Sequence, residues 1–388
     1  MRHSQSRIVV FWFLFLLVVP TAVWLVGKRA RPIENKPLAG RPALSLQAMR
    51  DGTFFKGLDT FLQEHLPLRA DLVQAKAAVD SRVIGESPNP QVTFGSDGWL
   101  FFTEDLQRDC SATAPGDVIV SQMGRFVAQV DAAGRRAVAY IGPDKSSMVP
   151  DRLPTAMRDT CTRELSRQIR DRLREQDPAG VPDLFSVLDR DDVESLYWRR
   201  DSHWNPEGAA LASGAVVDAI QPGLWDASAV VVGPDTSHVT DLTQLMGLPE
   251  EEASPSVQIR RDGVTTTEVP TADPTTTRHY RSTTTGAPLI GGTTVILHDS
   301  FGNVQMDQLA PYFEDVTFVW MRAGVTDTAR SADGKWYVTW PGLAAPEMQA
   351  LMRGADTIVY QSVERAADVR FAPESVTGLL DAAGVAQG

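Results

Sequence analysis

Three short runs of apolar, mostly β-branched residues constrain this chain most: TTVILHD (293–299), VTFVW (316–320) and TIVYQSV (357–363). Each is shorter than an ordinary helix and has consecutive apolar residues at its centre (VIL, FVW, IVY), which is the pattern of a strand buried on both faces. Helical segments separate them, and alternation of buried strands with helices specifies an α/β sheet. AVAYIGP (137–143) reads as a further buried strand. The segment ending in VDAAG reads as a helix closed by Gly134, CTRELSRQIRDRLREQ (161–176) as a charged amphipathic helix, and AVVDAI as the end of another near residue 220. VTFGSDGWLFF (92–102) has the form of a hairpin turning at Ser-Asp-Gly. Residues 264–286 are rich in threonine without a clear apolar period, and read as an exposed insertion or hairpin.

The chain has 388 residues, 43% of them hydrophobic, enough to fill a core. Its net charge of −12 excludes phosphate-backbone binding as a main task, since that needs a concentrated basic surface; no nucleic-acid partner is expected. Residues 8–27, IVVFWFLFLLVVPTAVWLVG, are uncharged and long enough to cross roughly 30 Å of hydrocarbon, so residues 1–27 read as a cytoplasmic tip and a membrane anchor. Pro20 is tolerable in such a helix. Arg2 and Arg7 flank one end and Lys28, Arg29 and Arg31 the other, so charge alone leaves the orientation open.

Residues 28–53 read as a stalk and 54–388 as the main domain. Beyond Pro67, Leu68, Leu72, Ala75 and Val79 fall on one face of an expected helix. The only cysteines are Cys110 and Cys161. Two lone cysteines outside the cytosol commonly pair, and a disulfide is expected here; two unrelated buried thiols are the alternative.

The run TTVILHDSFGN carries a buried strand straight into Asp299 and Ser300, with a helix expected from Asn303 onward. A serine at that bend lies at the carboxyl end of the sheet, where ligands collect in open α/β folds, and the amides of the turn, at Phe301 and Gly302, can face a developing oxyanion. Ser300 is therefore a candidate nucleophile, and it needs a base held by an acid. RRDSHWNPEG (199–208) supplies both: in an extended loop Asp201 and His203 project to the same side, so the carboxylate can hold one ring nitrogen while the other stays available. Asn205 can cap a helix beginning at Pro206, and Trp204 can shield the base. Either motif alone is common. His298, just before Asp299, is expected beneath the turn rather than to act as the base.

Taken in order, GSDGWLFF, YIGPDKSSMVPDRLP, RRDSHWNPEGA, DLTQLMGLP, ILHDSFGN and YQSVER resemble the AlgX/AlgJ-type, SGNH-hydrolase-like O-acetyltransferases that decorate exported polysaccharides. The likeness runs from about Phe54 to Arg365 and includes FLQEHLPLRADL. It implies an SGNH-like, flavodoxin-like three-layer α/β domain with permuted motif order, the Asp-x-His pair preceding the serine. It also implies Asp201 as orienting acid, His203 as base and Ser300 as nucleophile, and places Lys145, Arg322 and Tyr360 in or near segments that surround such active sites. His298 stands where GDS-type hydrolases carry glycine. The layout resembles the membrane-anchored AlgJ type rather than the AlgX type with its added carbohydrate-binding module, with the catalytic domain outside the cytoplasm.

The expected activity is acetyl transfer through an acyl-serine to hydroxyls of an exported or cell-surface polysaccharide, without a metal or organic cofactor. The resemblance further implies a multi-spanning membrane acyltransferase that supplies the acetyl group. A carbohydrate acetylesterase would use the same three residues with water as acceptor, and a catalytically silent export scaffold would keep only the fold. Trp99, Trp204, Trp320, Trp336 and Trp340 are candidate sugar-stacking surfaces, each more commonly a core residue.

Overall fold

The computed structural model describes residues 38–66, 69–107 and 110–385, together with Phe11, Phe13, Val18, Val19, Ala22 and Val23. The proposed anchor at 8–27 therefore lies largely outside the described residues. Among those described, no helix is long and apolar enough to cross a membrane.

The chain divides into two units, the smaller comprising residues up to Thr93 with Val239–Glu251, and the larger Phe94–His238 with Glu252–Gly388. The boundary drawn from sequence at residue 54 thus differs from the edge of the larger unit. In the smaller unit, helices span Leu46–Arg50, Thr53–Glu64 and Arg69–Val79, so helical structure begins inside the segment read as a stalk. The expected helix is present, and the described residues of its apolar face, Leu72, Ala75 and Val79, are exposed. Ala77 is the buried residue of that helix, and Leu68 lies outside the described residues.

The larger unit is built on a six-stranded sheet: β1 (Arg136–Gly142), β2 (Val264–Val269), β3 (Thr277–Thr284), β4 (Ile290–His298), β5 (Phe313–Trp320) and β6 (Thr357–Val363), in spatial order β1-β6-β4-β5-β3-β2. Strands β1, β6, β4 and β5 are parallel, with Val363 opposite Gly142 and His298 opposite Trp320, so four carboxyl ends finish along one edge. β3 joins β5 antiparallel and β2 closes the sheet against β3. The threonine-rich stretch is thus a hairpin, and an integral part of the sheet. Threonine is polar by composition but β-branched, and suits a half-buried edge strand.

Side chains alternate across the sheet, as the two-residue strand period requires. Ala139, Ile141, Leu297 and Tyr360 pack on one face beneath α1 (Gly116–Ala132) and α2 (Cys161–Gln176). Val138, Tyr140, Ile296 and Val359 pack on the other, beneath α3 (Pro206–Ile220) and α4 (Gly302–Leu309). The result is a three-layer α/β/α arrangement. α1 ends where expected, with Gly134 at φ 78°. Cys110 and Cys161 are joined in a disulfide, the latter at the first position of α2.

Candidate active site

Ser300 follows the carboxyl end of β4, in the turn that enters α4. The turn is fixed by Asp299. Its Oδ1 accepts from the Phe301 amide at 2.9 Å and from the Gln361 side chain at 2.9 Å, while Oδ2 accepts from the Val363 amide at 2.6 Å and pairs with Arg370. Burial alone would raise this carboxyl, but Arg370 and the surrounding donors outweigh it and hold Asp299 below the usual carboxylate range. The Gly302 amide donates to the Asp299 carbonyl at 3.1 Å.

These bonds revise the expected oxyanion donors. The N–H groups of Phe301 and Gly302 are both engaged by Asp299, whereas the Ser300 N–H has no acceptor among the described residues. Phe301 instead contributes its ring, buried 5.0 Å from that of His203. Gly302 contributes its lack of a side chain: a Cβ there would lie 2.6 Å from the Cβ of His298. His298 is buried beneath the turn, its Nδ1 2.8 Å from the Asp299 carbonyl.

The residues at 199–205 reach Ser300 from the start of α3. They form a closed loop rather than the extended one expected, pinched by an antiparallel bridge between Tyr197 and Trp204 and by the Trp198 amide bonding to the His203 carbonyl. The two side chains still meet, because Asp201 folds back on the chain two residues on, a habit of aspartate in tight turns. Asp201 Oδ1 accepts from the His203 amide at 3.0 Å and lies 2.6 Å from His203 Nδ1, and His203 Nε2 lies 2.8 Å from Ser300 Oγ. The three residues form one hydrogen-bonded chain. Asn205 caps α3 through the amides of Glu207 and Gly208, and the buried Trp204 donates its indole N–H to the Phe301 carbonyl at 3.1 Å, tying loop to nucleophile turn.

Lys145 holds the loop from below. Its ammonium is buried and donates to the carbonyls of Trp198 (3.0 Å), Arg199 (3.0 Å) and Asp201 (2.6 Å), so its three donors are spent on the loop and none is left for a substrate or oxyanion. Glu252 binds the Arg199 and Arg200 amides at 2.7 and 2.9 Å. Tyr360 is also removed from the site: it is buried against Phe126, Trp340 and Phe371 on the opposite face, its hydroxyl bound to the Arg370 carbonyl. Arg322 bonds Thr275 and lies over the Trp320 ring at 5.7 Å. Of the five tryptophans singled out, Trp99, Trp204 and Trp340 are core; Trp336 is exposed and Trp320 half-buried.

A residue the sequence did not single out completes the acid's environment. His238, near the end of the exposed strand Val230–Val239, places Nε2 3.0 Å from Asp201 Oδ2. Close by, Arg365 is buried between Asp105 (3.3 Å) and Asp144, with its guanidinium 5.5 Å from the centre of the Phe301 ring. Burial pushes Asp105 up to about 6 despite Arg365, and raises Asp144 well above its ordinary value for the same reason.

The model of the SGNH hydrolase-like domain of the acetyltransferase AlgX matches residues 92–283, about half of the chain. Over these residues the chain is similar to the AlgX/AlgJ family. The match contains Asp201 and His203 and stops short of Ser300. Similar proteins include the probable alginate O-acetylase AlgJ of Azotobacter vinelandii, 23% identical over 58% of this chain and 60% of the relative, and that of Pseudomonas aeruginosa, 24% identical over 55% of each. The chain matches roughly half the length of these curated relatives. Among solved structures, the O-acetyltransferase domain of Pseudomonas putida AlgJ superposes with a TM-score of 0.47 at 15% identity, covering 75% of this chain and 99% of that one. Bacillus cereus PatB1 gives 0.45 at 12%, covering 71% and 97%. The SGNH-like assignment of the α/β domain rests on the family model.

Proposed function

We propose that this protein is a membrane-anchored, extracytoplasmic O-acetyltransferase that moves acetyl groups onto hydroxyls of a polysaccharide. The observation that carries the reading is the continuous chain from Asp201 through His203 to Ser300 Oγ, at 2.6 and 2.8 Å. The Asp201 carboxylate accepts the proton on His203 Nδ1, which leaves the Nε2 lone pair facing the serine hydroxyl. As Ser300 Oγ attacks the acetyl carbonyl carbon, its proton passes to Nε2 and then to the departing donor oxygen, and an acetyl-serine remains. A sugar hydroxyl attacks next, gives its proton to Nε2, and leaves as the acetyl ester while Ser300 Oγ recovers the proton.

In both steps the oxyanion needs a donor fixed in advance, and the uncommitted Ser300 N–H fills that role in this reading. The apolar run at 8–27 supports an anchor, and the Cys110–Cys161 disulfide supports an oxidising compartment for the domain. Acetyl-CoA is cytosolic, so the acetyl group is supplied across the membrane, by a multi-spanning acyltransferase partner in this reading.

The test is mass spectrometry of the purified protein after incubation with an activated acetyl ester and a panel of oligosaccharides, with Ser300→Ala as control. Serine-dependent gain of an acetyl group on a sugar is the expected result. Acetate release with no sugar modified would replace this reading with an esterase, and no serine-dependent chemistry with the donor partner present would leave only a scaffold.

A further inference from the structure

A groove of about 290 Å³ that the mechanism does not use is lined by residues that flank Ser300 in the chain. Its walls include Pro274, Thr275 and Thr276 from the β2–β3 connection, Trp320 from the end of β5, and Asn303 from α4; His298 forms part of its floor. His298 and Asn303 bracket the nucleophile in sequence, two positions before and three after.

The threonine wall is a built feature. Asp273 organises the turn, its carboxylate accepting from the Thr275 amide at 3.0 Å and its carbonyl from the amides of Thr276 (3.1 Å) and Thr277 (2.9 Å). The Thr276 carbonyl then accepts from the Trp320 amide at 2.8 Å, and Arg322 bonds Thr275 Oγ1 at 3.0 Å. The turn is therefore fastened to the sheet at the groove's edge, with the half-buried Trp320 indole beside it.

The floor carries a polar atom without a protein partner. A carbonyl can only accept, so the 2.8 Å contact between His298 Nδ1 and the Asp299 carbonyl places the ring proton on Nδ1. The neutral ring then presents Nε2 as an acceptor, and no hydrogen bond satisfies it among the described residues. Burial, outweighing the help of the Asp299 carbonyl, lowers the affinity of His298 for a second proton and preserves that acceptor.

An aromatic platform, hydroxyl-bearing walls and one acceptor on the His298 ring form a surface suited to a sugar ring, whose C–H face stacks on indole while its hydroxyls need acceptors. We propose that the groove is the acceptor subsite, holding one sugar residue against Trp320 with a hydroxyl donating to Nε2 of His298. The inference rests on the acetyl-transfer reading and gives the threonine-rich hairpin a task.

The experiment is isothermal titration of neutral and uronate oligosaccharides into the full chain carrying Ser300→Ala, compared with the same chain also carrying Trp320→Ala, Thr276→Trp or His298→Phe. Thermal unfolding of each protein checks its fold. At least tenfold weaker binding is expected on removing the platform or filling the groove, and several-fold weaker binding on losing the His298 acceptor. Unchanged binding in folded Trp320→Ala and Thr276→Trp proteins, or no binding of any panel member by the unfilled groove at millimolar concentration, would overturn the proposal.

Acylation of Ser300 by an activated acetyl ester, measured by mass without sugar on the otherwise unaltered chain, keeps the two readings separate. Acylation with glycans that ignore the groove removes only the acceptor subsite. Groove-dependent binding without acylation removes the transfer reading.

Discussion

His238 Nε2 lies 3.0 Å from the second carboxylate oxygen of Asp201, on the side opposite His203. The acid of the proposed triad is thereby held at both oxygens, which fixes the plane of the carboxylate and with it the imidazole of His203. His238→Ala removes one hydrogen bond to a carboxylate, a contribution of about 1.5 kcal/mol, so kcat for acetyl transfer is expected to fall about tenfold with little change in acceptor KM. His238→Gln, which keeps a donor, should recover most of the loss. Equal losses in both variants, or a loss confined to KM, would show that His238 does not act through Asp201.

Lys145 predicts a different failure. Its ammonium satisfies three loop carbonyls and is buried beside the rings of Trp99 and Phe101, at 5.4 and 5.3 Å. Lys145→Met keeps the apolar stem and leaves those carbonyls without their donor, at an expected cost of about 3 kcal/mol in stability. Denaturant unfolding measures that cost. Because the loop carries Asp201 and His203, the rate of Ser300 acylation should fall as well, even at temperatures where the variant is folded.

Gly302 tests the packing under the nucleophile. Neither its backbone angle nor an oxyanion role demands glycine; the demand comes from His298, whose Cβ and ring atoms would lie 2.6–2.7 Å from an added methyl. Gly302→Ala must push His298 or the Ser300 turn aside, with an expected loss of about 1–3 kcal/mol. The accompanying change should be slower acylation of Ser300, read by mass against time. An alanine variant with unaltered acylation and unaltered unfolding would mean that the turn yields freely.

Such contacts mark the limit of what the sequence discloses. The central strands were legible because they are buried on both faces and so carry unbroken apolar runs, and 161–176 was legible because its charged and apolar faces follow the helical period. The convergence of Asp201, His203 and Ser300 could be anticipated from local chemistry, a strand ending in a serine and a loop carrying an acid and a base. The strands at 264–269 and 277–284 were less legible, because the first is the sheet's edge strand, the second lies next to it, and they alternate only partly, with Tyr280 and Ser282 buried among exposed threonines. Residue partners set by three-dimensional closure left no sequence signal. Nothing around His238 marks it as a partner of an aspartate 37 residues earlier, and the loss of the Phe301 and Gly302 amides to Asp299 depends on how tightly the turn winds. Tyr360 shows the converse, since a motif-bearing segment can owe its composition to the core.

The buried acids around Arg365 give a pH prediction whose sign can be worked out. Burial raises Asp105 from its ordinary 3.8 to about 6 in the folded chain. Between those values the folded state binds more protons than the unfolded state, so this group's contribution makes stability fall as pH rises through that window, and above it the full penalty of an ionised Asp105 is present. Asp105→Asn removes the titration while retaining a polar side chain beside Arg365. Relative to the unaltered protein, the variant should gain stability above pH 6, by up to about 3 kcal/mol for a two-unit shift, and the gain should shrink toward pH 4. Asp299 acts in the opposite sense: its lowered value adds stability above the unfolded carboxylate range and loses it as pH falls through the folded value, but this affects both proteins alike and cancels in their difference. Denaturant unfolding of the pair at pH 4.5 and pH 7.5 decides the matter. A difference independent of pH would place the effect of Asp105 in packing rather than in its charge.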